Sequence, residues 1–101
     1  MEKIDQDRAK DLVAPMTGWT LGDAAISREF TFRAFADAVA FAVRLGFAAE
    51  RADHHPAILI DYRRVTVTYT THSAGGLTDK DFAGATAADA AAAAFAPGEV
   101  N

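Results

Sequence analysis

Ile58-Leu59-Ile60-Asp61-Tyr62-Arg63-Arg64-Val65-Thr66-Val67-Thr68-Tyr69-Thr70 is the stretch on which the fold class turns. In its second half Val65, Val67 and Tyr69 alternate with Thr66, Thr68 and Thr70. That period of 2 sends alternate side chains to opposite faces of a strand, and β-branched and aromatic residues suit a pleated surface. Ile58 to Asp61, after Pro56, is a second extended run, and Arg63-Arg64 makes a tight connection between the two. The segment reads as a hairpin with one apolar and one threonine-rich face, and an antiparallel sheet of that kind needs cover on one side only.

The flanking segments supply the cover. Between Arg33 and Arg51 the apolar positions Phe35, Ala38, Val39, Ala42, Leu45 and Ala49 recur at helical spacing, with charges at Asp37, Arg44 and Glu50 and a weak point at Gly46. Downstream, Gly75-Gly76 breaks the strand and Thr78 is a good N-cap, with Asp79 and Asp81 in the first turn. The alanine-rich run that follows predicts a helix to Ala96, ended by Pro97-Gly98 and followed by frayed residues. Its alanines have two readings: plain helix propensity, the simpler one, or a smooth surface that admits close approach of a neighbour.

Further upstream, Trp19 to Leu21 predicts a short strand, Gly22-Asp23 a turn, and Ile26 to Phe32 a strand with Ile26, Phe30 and Phe32 on its inner face. Asp5 can cap a helix running to Val13, with Ala9, Leu12 and Val13 buried and Pro15 and Thr17-Gly18 closing it. The order is α-β-β-α-β-β-α. It predicts an α+β fold, with a single four-stranded antiparallel sheet and three helices on one face, and residues 1–101 forming a single domain.

Composition narrows the function. A chain of 101 residues can bury roughly two-thirds of its unfolded surface in one core. A net charge of -4, with Lys and Arg scattered, argues against nucleic acid as a direct partner. The chain has no cysteine, so disulfides, thiol nucleophiles and thiolate zinc sites are excluded. The first residues are charged, and the most apolar stretch, Ala34 to Ala49, is broken by Asp37 and Arg44, so a cytoplasmic protein without membrane contact is expected.

The three histidines, His54, His55 and His72, all fall at predicted element ends. Any one alone reads first as an ordinary surface residue. Three together at loop positions, with Asp53 and Asp81 close in sequence, point to acid–base chemistry, because imidazole titrates near neutrality. His55 precedes Pro56 and is held extended, so His54 and His55 should face opposite sides. His72 is in phase with Thr66, Thr68 and Thr70, which predicts the open face or edge of the sheet.

A metal site is the sharper alternative, but an adjacent His-His pair in extended chain chelates one ion poorly and no HExxH spacing is present. Neither Ser27 nor Ser73 sits in a nucleophile elbow, and Gly75-Gly76 lacks the lysine of a phosphate cradle. Asp81 occupies the third position of its helix, where capping and a role in the site are compatible.

Taken together, Glu50-Arg51-Ala52-Asp53-His54-His55-Pro56, Tyr62, Thr71-His72, Gly75-Gly76-Leu77-Thr78 and Asp81 resemble the pterin-4a-carbinolamine dehydratase family. The likeness extends upstream through Gly18-Trp19 and Phe30-Thr31-Phe32-Arg33-Ala34-Phe35. It implies dehydration of a 4a-hydroxytetrahydropterin, the spent cofactor of aromatic amino-acid hydroxylases, to quinonoid dihydropterin and water, with no metal or organic cofactor. Carried over by motif, His54 and His72 are the acid–base pair, His55 binds or orients the pterin, and Asp81 orients an imidazole or adds charge beside it. Pro56, Thr71, Ser73 and Glu50 complete the substrate pocket. Where relatives commonly carry a carboxylate after His-His-Pro, this chain has Ala57-Ile58. The resemblance further implies a homodimer or homotetramer built through sheet edges and helix packing. Some relatives act instead as binding modules that stabilise a partner's dimer or assist assembly; the intact His54-His55-His72 set favours the enzyme.

Overall fold

The computed structural model describes residues 2–96 and 98. Its elements are α1 (Gln6–Val13), β1 (Thr20–Leu21), β2 (Ile26–Thr31), α2 (Phe35–Ala52), β3 (Ala57–Asp61), β4 (Arg64–Tyr69) and α3 (Asp79–Ala92), with a 3₁₀ turn at His72–Ala74. The order is the expected α-β-β-α-β-β-α. The sheet is antiparallel throughout and runs β1-β2-β4-β3, so the two hairpins join through β2 and β4. That join matches apolar partners, Ile26 opposite Tyr69 and Phe30 opposite Val65.

Alternation sorts the sheet into two faces. Ile26, Phe30, Val65, Val67 and Tyr69 are buried in one cluster with Ala9 of α1, Ala38, Phe41 and Leu45 of α2, and Ala85 and Ala88 of α3, so all three helices cover the same face. Ser27, Glu29, Thr66 and Thr68 take the other face, together with Leu59, which is 65% exposed. The turn between β3 and β4 is Tyr62-Arg63, one residue earlier than expected, because Asp61 already pairs with Arg64.

α1 is capped as its sequence predicts, with the Asp5 carboxylate accepting the Arg8 N–H at 2.9 Å. Ala9 is fully buried, while Leu12 and Val13 are only half-buried. α2 departs further. Ala34 is extended, so the helix starts at Phe35, and that ring is 53% exposed. Phe41, absent from the expected stripe, is fully buried, and Val39 and Ala42 are half-buried. The reason is packing: Phe41 sits 4.9 Å from the Phe30 ring and 5.0 Å from Phe32, which buries more apolar area than a first-turn residue can reach.

α3 ends at Ala92, four residues short of the expected Ala96. Leaving the helix lets Phe95 turn in against Phe32, ring centroids 5.7 Å apart, and the Gly98 N–H reaches the Thr31 carbonyl at 3.2 Å. Pro97, the expected terminator, and the last three residues, expected to fray, lie outside the described residues. Asp89 ties α3 to the sheet by accepting from Trp19 Nε1 at 2.9 Å and Arg28 at 2.7 Å. No described helix is long and apolar enough to cross a membrane.

Candidate active site

Two chain breaks place the site. At the first, α2 closes in a Schellman turn: the Asp53 N–H bonds the Glu50 carbonyl and the His54 N–H bonds the Ala49 carbonyl, both at 3.2 Å. Asp53 takes the left-handed conformation, φ 50°, that this turn requires, and aspartate tolerates it better than most residues with a Cβ. At the second, Thr71 and Gly76 bridge each other and fold residues 72–75 into a tight loop, with Gly75 at φ 73°. The strand stops at Tyr69, so His72 leaves the sheet. The expectation that it sits on the open face or edge of the sheet is therefore corrected: it lies exposed on the 3₁₀ turn past the strand end, because the bridge needs the chain to reverse there.

These breaks bring His54 onto the start of α3. Its Nε2 lies 2.6 Å from Oδ1 of Asp81, a fully buried carboxylate, and the imidazole is 12% exposed. Oδ2 of Asp81 accepts the Thr71 hydroxyl at 2.8 Å and the Thr78 N–H at 2.9 Å. The Thr71 proton being committed to Asp81, the Thr78 hydroxyl donates to Thr71 across 2.9 Å and accepts the Lys80 N–H. An ionised carboxylate only accepts, so His54 carries its proton on Nε2, which leaves Nδ1 as the atom free for a ligand. Asp81 thus closes a capping box and anchors an imidazole with the same group.

His55 points elsewhere, as the extended chain before Pro56 predicts. Its Nε2 lies within hydrogen-bond reach of Oε1 of Glu50 at the exposed surface, so a carboxylate meets His55 although position 57 is alanine. Pro56 is half-buried, and Ser73 is exposed beside His72. Of the expected site residues, hydrogen bonds unite His54, Asp81 and Thr71 in one network and Glu50 with His55 in another. Among the described residues no hydrogen bond joins His72 to either, and no three His, Asp or Glu side chains gather as a metal site would require.

Sequence reasoning missed Tyr69. It was read as one more inward strand residue, but its ring lies parallel to the His54 imidazole, centroids 5.9 Å apart and planes 19° from parallel. Burial, and secondarily the Asp81 charge, pushes its phenol up to about 12. Gly84 lies against the same ring, where a Cβ would sit 2.4 Å from a ring carbon. A cavity of about 120 Å³ is lined by Ala48, Ala49 and Ala52 of α2, by Lys80, Ala83, Gly84 and Ala87 of α3, and by His54 and Tyr69. Thr78 was read only as a cap. A threonine two residues after the Thr71-His72 pair's glycine turn carried no signal that its hydroxyl would also meet Thr71.

The sequence model described as "Pterin 4 alpha carbinolamine dehydratase" matches residues 2–91. The chain belongs to that family. It is 42% identical over 87 residues to a Roseiflexus sp. (strain RS-1) protein named "Putative pterin-4-alpha-carbinolamine dehydratase", covering 86% of this chain and 94% of that one. The fold is similar to a solved transcriptional coactivator/pterin dehydratase from Brucella melitensis, with a TM-score of 0.85 and 33% identity over 90% of this chain and 99% of the other. It is also similar to a pterin dehydratase-like protein identified as a RuBisCO assembly factor in the alpha-carboxysome. There the TM-score is 0.65 and the identity 25%, over 76% of this chain and 92% of that one.

Proposed function

We propose that this chain dehydrates a 4a-hydroxytetrahydropterin to quinonoid dihydropterin and water, with His54 and His72 as the acid–base groups. The observation that carries the reading is the His54–Asp81 pair, in a chain of this family. A carboxylate whose acceptor sites are filled by Thr71, Thr78 and His54 keeps one imidazole tautomer and leaves Nδ1 open. The reaction breaks the C4a–O bond as the hydroxyl departs with an added proton, and N5 loses its proton as the N5=C4a double bond forms. One imidazole gives the first proton and another takes the second. Positioned groups of this kind each contribute on the order of 10²- to 10⁴-fold. His55 orients the pterin, its ring turned out by the extended backbone and held by Glu50. Thr71, Pro56 and Ser73 shape the pocket around His72. A cytoplasmic location goes with this reading.

The test is the rate of dehydration followed by absorbance as product forms, with chelator-treated protein beside untreated. Acceleration that survives chelation supports the reading, and loss on chelation points to a metal. His72→Ala, at an exposed position, should lower turnover by on the order of 10²-fold or more with an unchanged circular dichroism spectrum. His54→Gln, whose amide can still donate to Asp81, should do the same. Full turnover in either folded variant removes that residue from the mechanism.

A protein-binding role is the second reading, favoured by one observation: α2 exposes Phe35, Val43 and Phe47 at 53%, 52% and 64%. Such a face suits self-association into a homodimer or homotetramer, or a partner protein. A stoichiometric partner that survives His72→Ala in a pull-down would support the partner.

A further inference from the structure

We infer that Tyr69 is a positioning residue for His54, setting the plane of the imidazole that Asp81 holds by one end. This rests on the dehydratase reading for its kinetic consequence but not for its geometry. The 2.6 Å contact to Asp81 fixes one ring atom and a direction. A single hydrogen bond leaves the ring free to turn about that axis, and turning it swings Nδ1 away from any fixed substrate. The Tyr69 ring removes that freedom by lying nearly parallel to the imidazole, 5.9 Å away and 19° from parallel. Tyr69 cannot itself yield. It is 1% exposed, has Ile26 as its partner across the sheet, and has Trp19 at 6.2 Å and the Gly84 backbone against its edge.

The hydroxyl is separable from the ring. Among the described residues no hydrogen bond engages it, although Tyr69 as a whole is 1% exposed. Tyr69→Phe therefore keeps the stack and loses only the hydroxyl. Tyr69→Leu loses the stack.

The experiment compares these two variants by steady-state kinetics and by NMR relaxation of the His54 ring carbons, with the ring ¹⁵N resonances showing that Asp81 still holds Nε2. A core of this density resents a lost ring, so a third variant combines Tyr69→Leu with Gly84→Ala. Its new methyl falls where the ring atoms stood, 2.4 and 2.6 Å from the Gly84 Cβ position, and refills the space. Wild type and Tyr69→Phe should show a rigid ring with one protonated and one bare nitrogen, with kcat alike to within about twofold. The folded leucine variants should keep that nitrogen pattern, since Asp81 still accepts from Nε2, but show a mobile ring and a kcat lowered about tenfold or more with KM little changed, since misplacement of a reacting group falls on the chemical step. An equally rigid His54 ring in a folded leucine variant would overturn the proposal whatever the rates. So would a Tyr69→Phe loss as large as that of leucine. If wild type shows no dehydration but the His54 ring still loosens in the leucine variants, the dehydratase reading fails and the positioning role stands.

Discussion

At the scale of the residue, Tyr69 couples burial to pH. Its phenol is pushed from the ordinary 10 to about 12, first by desolvation and then by the Asp81 charge. In the unfolded chain the phenol gives up its proton from about pH 10, whereas the folded protein holds it, so above that pH the unfolded state binds fewer protons. Stability contributed by the neutral ring is therefore complete below pH 10 and is lost progressively as pH rises through about 12. The loss over that window is up to about 3 kcal/mol. Urea midpoints taken on both sides of pH 10 should fall for wild type, and Tyr69→Phe should fall measurably less. Equal slopes would show that Tyr69 ionises as easily folded as unfolded.

At the scale of the element, the amino terminus of α3 does two jobs with one set of atoms. Thr78 is fully buried, accepts the Lys80 N–H, donates to Thr71 and gives its own N–H to Asp81. Thr78→Val keeps the shape, removes the cap and leaves the Lys80 N–H and Thr71 oxygen short of a partner. It should cost about 2 kcal/mol by urea denaturation, with Thr78→Ser recovering most of it. Because Asp81 closes the same capping box, the valine variant should also lower turnover. A stability loss without any kinetic effect would separate the cap from the site.

At the scale of the whole molecule, the open sheet ends in β1 and β3, and the β3 side exposes Leu59 at 65% and Tyr62 at 67%, while Val43 and Phe47 stand out on α2. Unpaired edges and apolar helix faces favour association of like chains. If α2 is the face used, Phe47→Glu should lower the mass measured by light scattering while the helical circular dichroism signal is kept, since Phe47 is 64% exposed. A wild-type mass equal to one chain would remove the premise.

The chain's local geometry was readable from its residues. The Val-Thr alternation of β4, the caps at Asp5 and Thr78 and the element order follow from repeats of 2 and 3.6 residues and from hydrogen bonds spanning three or four positions. The histidines were visible as candidates because imidazole is rare and chemically marked. Only the tertiary structure decided that His54 meets Asp81 across 27 residues, that Tyr69 lies beneath that ring, that Phe41 rather than Phe35 fills the core, and that β2 lies beside β4. Each of those depends on which of several apolar or polar groups reaches a shared space first, and that is settled by the volume and shape of all the packed elements together. His72 shows the boundary between the two. Its strand phase was legible, but the Thr71–Gly76 bridge that turned it out of the sheet is a contact between residues on either side of it.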